Sequence, residues 1–229
     1  MKVAVIGAGP SGLATLKYLK SAHRHLGCEA VEVRLFDRAP KVGGTFAARA
    51  YENAELVSSR QLTTFSDFRW PARPDFLSAE DYVQYLNEFC SNFNLCPDIW
   101  LNTEVVRITR RSSGHNVKYS SPLGQEEWDC DAIAICSGLH VNPHVPNISG
   151  LEHVNRVINS SEFRSSKQFE GSRTVMLVGA GETGADISYI ASNTPGVERV
   201  VLCHKDGVHF APKVSINTKM ERLLLKSSA

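Results

Sequence analysis

Three glycines at Gly7-x-Gly9-x-x-Gly12 follow a short apolar run, Val3 to Ile6, that reads as a buried parallel strand. Residue types in this order suit a pyrophosphate. Gly7 permits a tight turn, Gly9 lets the backbone approach the phosphates, and Gly12 lets the following helix pack close on the strand. A helix opening at Ser11 contributes unpaired N–H groups and partial positive charge. The candidate phosphate cradle is therefore Gly7, Ala8, Gly9, Pro10, Ser11 and Gly12. A glycine-rich turn alone would not establish a ligand, but a second strand, Val31 to Phe36, ends in Asp37, 25 positions after Gly12. A carboxylate about 20 residues beyond the glycines accepts from an adenosine ribose hydroxyl. Arg38 stands beside it.

The pattern recurs. Val175-Met-Leu-Val-Gly179-Ala-Gly181-Glu182-Thr183-Gly184 repeats the first stretch with Val175 standing 172 positions after Val3. Chance would have to supply strand, glycines and helix twice, so two dinucleotide sites are expected. Their second strands end differently. The first ends in Asp37, whereas Glu198–Cys203 is followed by His204 and Lys205. An acid there accepts from ribose, and cations there accommodate a 2′-phosphate. The alternative for Lys205 is a solvated loop lysine. The contrast points to FAD in the first unit and NADPH, rather than NADH, in the second.

Other elements must position these groups. The first helix is expected over Ser11–His25, ended by Gly27. Lys41-Val-Gly-Gly44-Thr45-Phe46 suits a loop against a flat ring, although Gly43-Gly44 alone would mark only a turn. Residues 56–71 lack clear period and are expected to form an irregular, ordered loop. Ser78-Ala-Glu-Asp81 reads as a capping box. The helix after it places Tyr82, Tyr85, Leu86, Phe89 and Phe93 on one stripe, expected to be core packing. Short strands over 104–108, 116–119 and 127–128 form an antiparallel meander. A buried strand, Asp131–Cys136, then leads to Ser137 and Gly138. Pro143, Pro146 and Gly150 mark a domain boundary, giving an FAD-binding domain over 1–150 and an incomplete NADPH-binding domain over 151–229. The expected fold class is α/β, two Rossmann-like lobes with a small β-meander. A short helix is expected over Met220–Lys226.

Composition narrows the function. In 229 residues, 42% hydrophobic and 21% charged side chains are ordinary for a soluble globular chain. A net charge of +1, from 25 Lys and Arg against 24 Asp and Glu, points to neither nucleic acid nor a membrane surface. The chain enters a strand directly after Met-Lys, so no signal peptide is expected, and no apolar run approaches the roughly 18 residues of a membrane span. Six cysteines without a Cys-x-x-Cys pair are expected to be reduced core thiols in a cytoplasmic protein, which disfavours a dithiol reductase.

The chain resembles the flavin-containing monooxygenases over nearly its whole length. The resemblance is carried by Gly7–Gly12, Asp37, Gly43-Gly44-Thr-Phe46, Phe65-Ser-Asp-Phe68, Cys136-Ser-Gly138 and Gly179–Gly184. It implies that NADPH reduces FAD, that O2 adds to the flavin, and that the peroxide adduct oxygenates a small amine or sulfur compound. A Baeyer–Villiger-type oxygenase is the neighbouring alternative. From another class comes a nucleotide-binding flavoprotein that is inactive or needs a partner chain. Flavin-proximal candidates are Val57, Ser58, Gln61 and Asp67. The chain departs from the family at Val57, where an Asn is usual, and at Asp37, where Glu is common. A family signature is also altered to His153-x-Asn155-x-x-x-Asn159-x-x-x-Phe163. Family members run well past this length, so the chain reads as truncated at its C-terminus, with a partner chain or oligomer as one way to complete the fold.

Overall fold

The computed structural model describes residues 1–71, 73–139, 142–205 and 207. The helix expected over Met220–Lys226 lies outside the described residues. The chain divides into two compact units, Met1–Ser165 and Ser166 onward. The division falls 15 residues beyond the expected boundary at 150, because the intervening segment is fastened to the first unit. Glu52 N–H donates to Arg164 O at 2.8 Å, and the Tyr51 and Phe163 rings lie 5.9 Å apart.

In the first unit, β1 (Lys2–Ile6) leads into α1 (Pro10–Leu26) and returns as β2 (Glu32–Phe36). Gly27 stops α1 in the left-handed conformation, φ 61°. Two single-turn helices follow, α2 (Thr45–Ala48) and α3 (Arg60–Thr63), then α4 (Ala79–Asn92). The loop expected over 56–71 is thus ordered but contains α3. Ser78 begins α4 with the expected capping box, its Oγ accepting from Asp81 N at 3.0 Å. Strand β3 (Ile99–Trp100) precedes a meander of β4 (Glu104–Arg110), β5 (His115–Ser121) and β6 (Gly124–Cys130). Strand β7 (Ala132–Ile135) re-enters the main sheet, whose parallel order is β3-β2-β1-β7.

Alternation decides what covers each face of that sheet. Val5, Val33 and Leu35 point toward α1 and α4, where Leu13, Leu16, Tyr82, Tyr85, Leu86 and Phe89 complete the main core. Ala4 and Phe36 point the other way, onto Val117, Tyr119, Trp128 and Cys130 of the meander. The aromatic stripe of α4 is core packing, as its period implied. Strand β7 is not buried as expected. It lies at the sheet edge, half-covered, with Ile135 70% exposed.

The second unit holds β8 (Thr174–Val178), α5 (Glu182–Ser192) and β9 (Arg199–Cys203), with β8 and β9 parallel from Thr174↔Arg199 to Val178↔Cys203. Among the described residues, no helix is long and apolar enough to cross a membrane. No cluster of metal-ligating side chains occurs among them either. All six cysteines are free. Cys90 and Cys130 are buried, but Cys28 and Cys96 are exposed, so the expectation of core thiols holds for only part of the set.

Candidate functional site

At the end of β1, Gly7 takes φ 112° and its N–H donates to Phe36 O at 2.8 Å, tying the turn to the end of β2. A Cβ on Gly7 would collide with Cys136 O, and one on Gly12 would collide with Gly7 O. The fold itself therefore requires both glycines. Gly9 differs. It has an ordinary φ of −78°, and a Cβ built there would meet nothing nearer than Gly44 Cα at 3.7 Å. The missing side chain at Gly9 leaves open space in front of the start of α1, which is the approach a pyrophosphate needs. No side chain caps α1, and its first turn contains no acid, so its N-terminal N–H groups and dipole face outward uncompensated.

Two further segments close on this turn. Gly43 N–H donates to Ala8 O at 2.9 Å, and Gly44, at φ 57°, brings its backbone against Gly9. Asp37 reaches back, with Oδ2 accepting from Ala8 N at 2.6 Å and Oδ1 from Ala39 N at 2.8 Å. Its carboxylate thus orders the glycine turn, while each oxygen keeps a further lone pair for a ribose hydroxyl. Cys136 N–H donates to Ile6 O at 2.8 Å, and Ser137 follows at the same edge of the turn. The first-unit candidates Gly7, Ala8, Gly9, Gly12, Asp37, Gly44 and Ser137 are brought together. Pro10 and Ser11 occupy the first turn of α1. Gly43 is an additional member, and its signal was the Gly43-Gly44 pair.

The remaining candidates lie elsewhere. Arg38 is exposed and approaches Glu104 at 3.8 Å. A Cβ on Gly138 would touch nothing within 4 Å. Thr45 and Phe46 line a cavity of about 150 Å³ with Tyr51 and Leu56, and the Phe46 ring packs edge-on against Tyr82 at 4.8 Å. Val57 is exposed, and Ser58 Oγ is 2.7 Å from Thr63 Oγ1. The Asp67 carboxylate is ion-paired with Lys17 of α1, whose ammonium also lies 4.5 Å from the Phe93 ring centroid. Phe65 and Phe68 of the same motif are half-buried and pack against the main core. Tyr85 OH accepts from Phe65 N at 2.7 Å and donates to Phe68 O at 2.9 Å, pinning Phe65-Ser-Asp-Phe68 onto α4. Gln61 faces a different cavity, lined also by Arg60 and Arg69.

The second unit repeats the first turn closely. Gly179 has φ 111° and donates to Cys203 O at 2.9 Å, and a Cβ on Gly184 would collide with Gly179 O. Gly181 caps α5 at φ −75°, and a Cβ there would meet nothing within 4 Å. Glu182 and Thr183 open α5, so this helix carries an acid in its first turn, unlike α1. His204 and Lys205 are exposed beyond β9, and His204 Nδ1 accepts from Gly207 N at 2.9 Å.

A family model described as flavin-binding monooxygenase-like matches residues 1–227. The chain belongs to that family. Monooxygenase PC-14 of Penicillium crustosum is 47% identical over 222 residues, which cover 96% of this chain and 38% of that protein. Dimethylaniline monooxygenase (N-oxide-forming) 2 of Mus musculus is 32% identical, over 84% of this chain and 38% of its own length. Among solved structures, S-allyl-L-cysteine S-oxygenase from Allium sativum superposes with a TM-score of 0.75 at 20% identity, over 94% of this chain and 53% of that one. That likeness shows a shared fold. The chain spans little more than a third of the length of the curated relatives it matches, 38% and 36% for the first two.

Proposed function

We propose that this chain provides the FAD-binding and NADPH-binding lobes of a flavin monooxygenase that oxygenates nitrogen or sulfur in a small molecule. The observation that carries the reading is the duplicated turn. In each copy two glycines are demanded by the backbone, while the middle one, Gly9 or Gly181, stands over open space at a helix N-terminus. When bound, the reduced flavin supplies the activation of O2.

The chain's own residues supply binding and orientation. Gly9 and the start of α1 receive the FAD pyrophosphate, Asp37 the adenosine ribose, and Gly44-Thr45-Phe46 the approach to the flavin ring. In the second lobe, Gly181 and α5 receive the NADPH pyrophosphate. Glu182 weakens the attraction of that helix for a dianion, which suits a cosubstrate that exchanges more readily than FAD. His204 and Lys205 favour the 2′-phosphate. The name of the mouse relative supports N-oxygenation, and that of the Allium structure supports S-oxygenation. The free thiols are in keeping with a reducing, cytoplasmic setting.

Anaerobic titration of the flavin-loaded chain with each nicotinamide tests the electron supply. NADPH should bleach the flavin band at lower concentration than NADH, and Lys205→Ala should erase about 1.5–3 kcal/mol of that preference. Equal use of the two nicotinamides by the unaltered chain would contradict the assignment of Lys205.

A further inference from the structure

Away from the glycine turns, Arg60, Gln61, Thr64, Arg69, Trp70 and Pro71 line an open cavity of about 430 Å³. Gln61, a flavin-proximal candidate from the sequence, faces this cavity and not the glycine turns, and the other five lining residues belong to neither dinucleotide site. Two guanidinium groups border it, Arg60 loosely ion-paired with Asp75 and Arg69 without an ion pair among the described residues. Arg69 has no carboxylate within 4.0 Å among the described residues. Its Nη1 is held by Gln61 O at 2.6 Å and by Thr64 O and Oγ1 at 3.4 and 3.3 Å. Those acceptors fix the plane of the fork and leave Nε and Nη2 available as a pair of donors. Arg60 donates through Nη1 to Trp70 O, and its Nη2 stands 3.9 Å from Asp75, too far for a hydrogen bond. Its Nε is buried and has no acceptor. That atom is closed off from the cavity, so the donor Arg60 offers a ligand is Nη2, which makes no hydrogen bond among the described residues. Beside the guanidiniums, the cavity wall is apolar, formed by Trp70 and Pro71. Trp70 is itself anchored, its Nε1 donating to Glu88 Oε2 at 2.7 Å while Arg73 lies 4.3 Å from its ring centroid.

We propose that this cavity binds a small organic carboxylate, with its oxygens on Arg69 and Arg60 and its apolar body along Trp70 and Pro71. An oriented fork matches the two oxygens of a carboxylate, and the flat apolar wall distinguishes an organic acid from a free inorganic anion. The site needs no bound nucleotide, so its test is independent of the flavin reading.

The probe is benzoate, compared with neutral benzamide and with inorganic phosphate, titrated onto the full 229-residue chain. Fluorotryptophan labelling locates binding by fluorine NMR, because the three tryptophans stand at 70, 100 and 128. Benzoate should move the Trp70 resonance saturably with a dissociation constant of about 1 mM or tighter, leaving Trp100 and Trp128 in place. Benzamide should not. Arg69→Gln should weaken benzoate at least about tenfold. Because Arg69 also holds Gln61 O and Thr64 O, Gln61→Glu provides a second variant, which gives up only the exposed Gln61 Nε2 bond to Asp75 Oδ1 at 3.3 Å, keeps the chain folded, and should weaken benzoate by adding a repelling carboxylate. Equal binding of benzoate and benzamide, tighter binding of phosphate than of benzoate, or benzoate binding unaltered in Gln61→Glu would each overturn the proposal.

Discussion

Gly9 and Gly12 stand three positions apart and lack side chains for different reasons. At Gly12 the obstacle is the protein, since a Cβ would run into Gly7 O; at Gly9 the nearest atom, Gly44 Cα, leaves room at 3.7 Å. Gly12→Ala should therefore destabilise the flavin-free chain by about 3 kcal/mol, an overpacking cost, whereas Gly9→Ala should leave its urea midpoint nearly unmoved. Equal loss in the two variants would show that the turn is held together differently. Asp37 makes a related case. Both of its oxygens accept backbone N–H groups, so Asp37→Asn turns an NH2 donor toward one of two donors. The expected cost is about 1–3 kcal/mol of stability in the flavin-free protein. Unchanged stability of that variant would mean that the carboxylate serves only the ligand.

Helix α4 shows how packing sets a chemical property. Tyr82 is buried in the main core and stacked on Tyr85 at 5.7 Å, and burial, reinforced by Tyr85, pushes its phenol up to about 12. The unfolded chain ionises near the ordinary value of 10.0, so between pH 10 and 12 it releases the proton while the folded chain retains it. The stability associated with the neutral phenol is complete below pH 10 and falls as pH rises toward 12, by about 1.4 kcal/mol per pH unit for this group. Tyr82→Phe should flatten that part of the pH–stability curve, read by denaturant unfolding at each pH; an unchanged slope would contradict the buried phenol.

These elements were also the most legible in the sequence. Strand β1, its glycine turn and α1 follow from an apolar run and three fixed spacings, and the capping box marks the start of α4 within one residue. Long-range arrangement was less legible. Nothing local in Ala132–Ile135 distinguishes an edge strand from a central one, so the exposure of Ile135 required the sheet order. Asp67 looked available beside the flavin segment, and only the fold brings Lys17 to it across 50 positions of sequence. Likewise, Arg60 and Arg69 carry no sequence signature, and they become neighbours because α3 and the following turn bring them around one cavity.

At the scale of the whole chain, two units each contain a complete glycine turn, and family membership rests on a match over residues 1–227. The turns are alike in geometry but differ in charge, with no acid at the start of α1 and Glu182 at the start of α5. The central claim is that the first turn holds FAD and the second holds NADPH. It is tested most directly by the flavin retained after gel filtration, measured by absorbance for the unaltered chain, Gly9→Val and Gly181→Val. The unaltered chain and Gly181→Val should both retain FAD, but only the unaltered chain should be bleached by NADPH under anaerobic conditions, and Gly9→Val should emerge colourless yet folded. Retention of FAD by Gly9→Val, or its loss from Gly181→Val alone, would contradict the account.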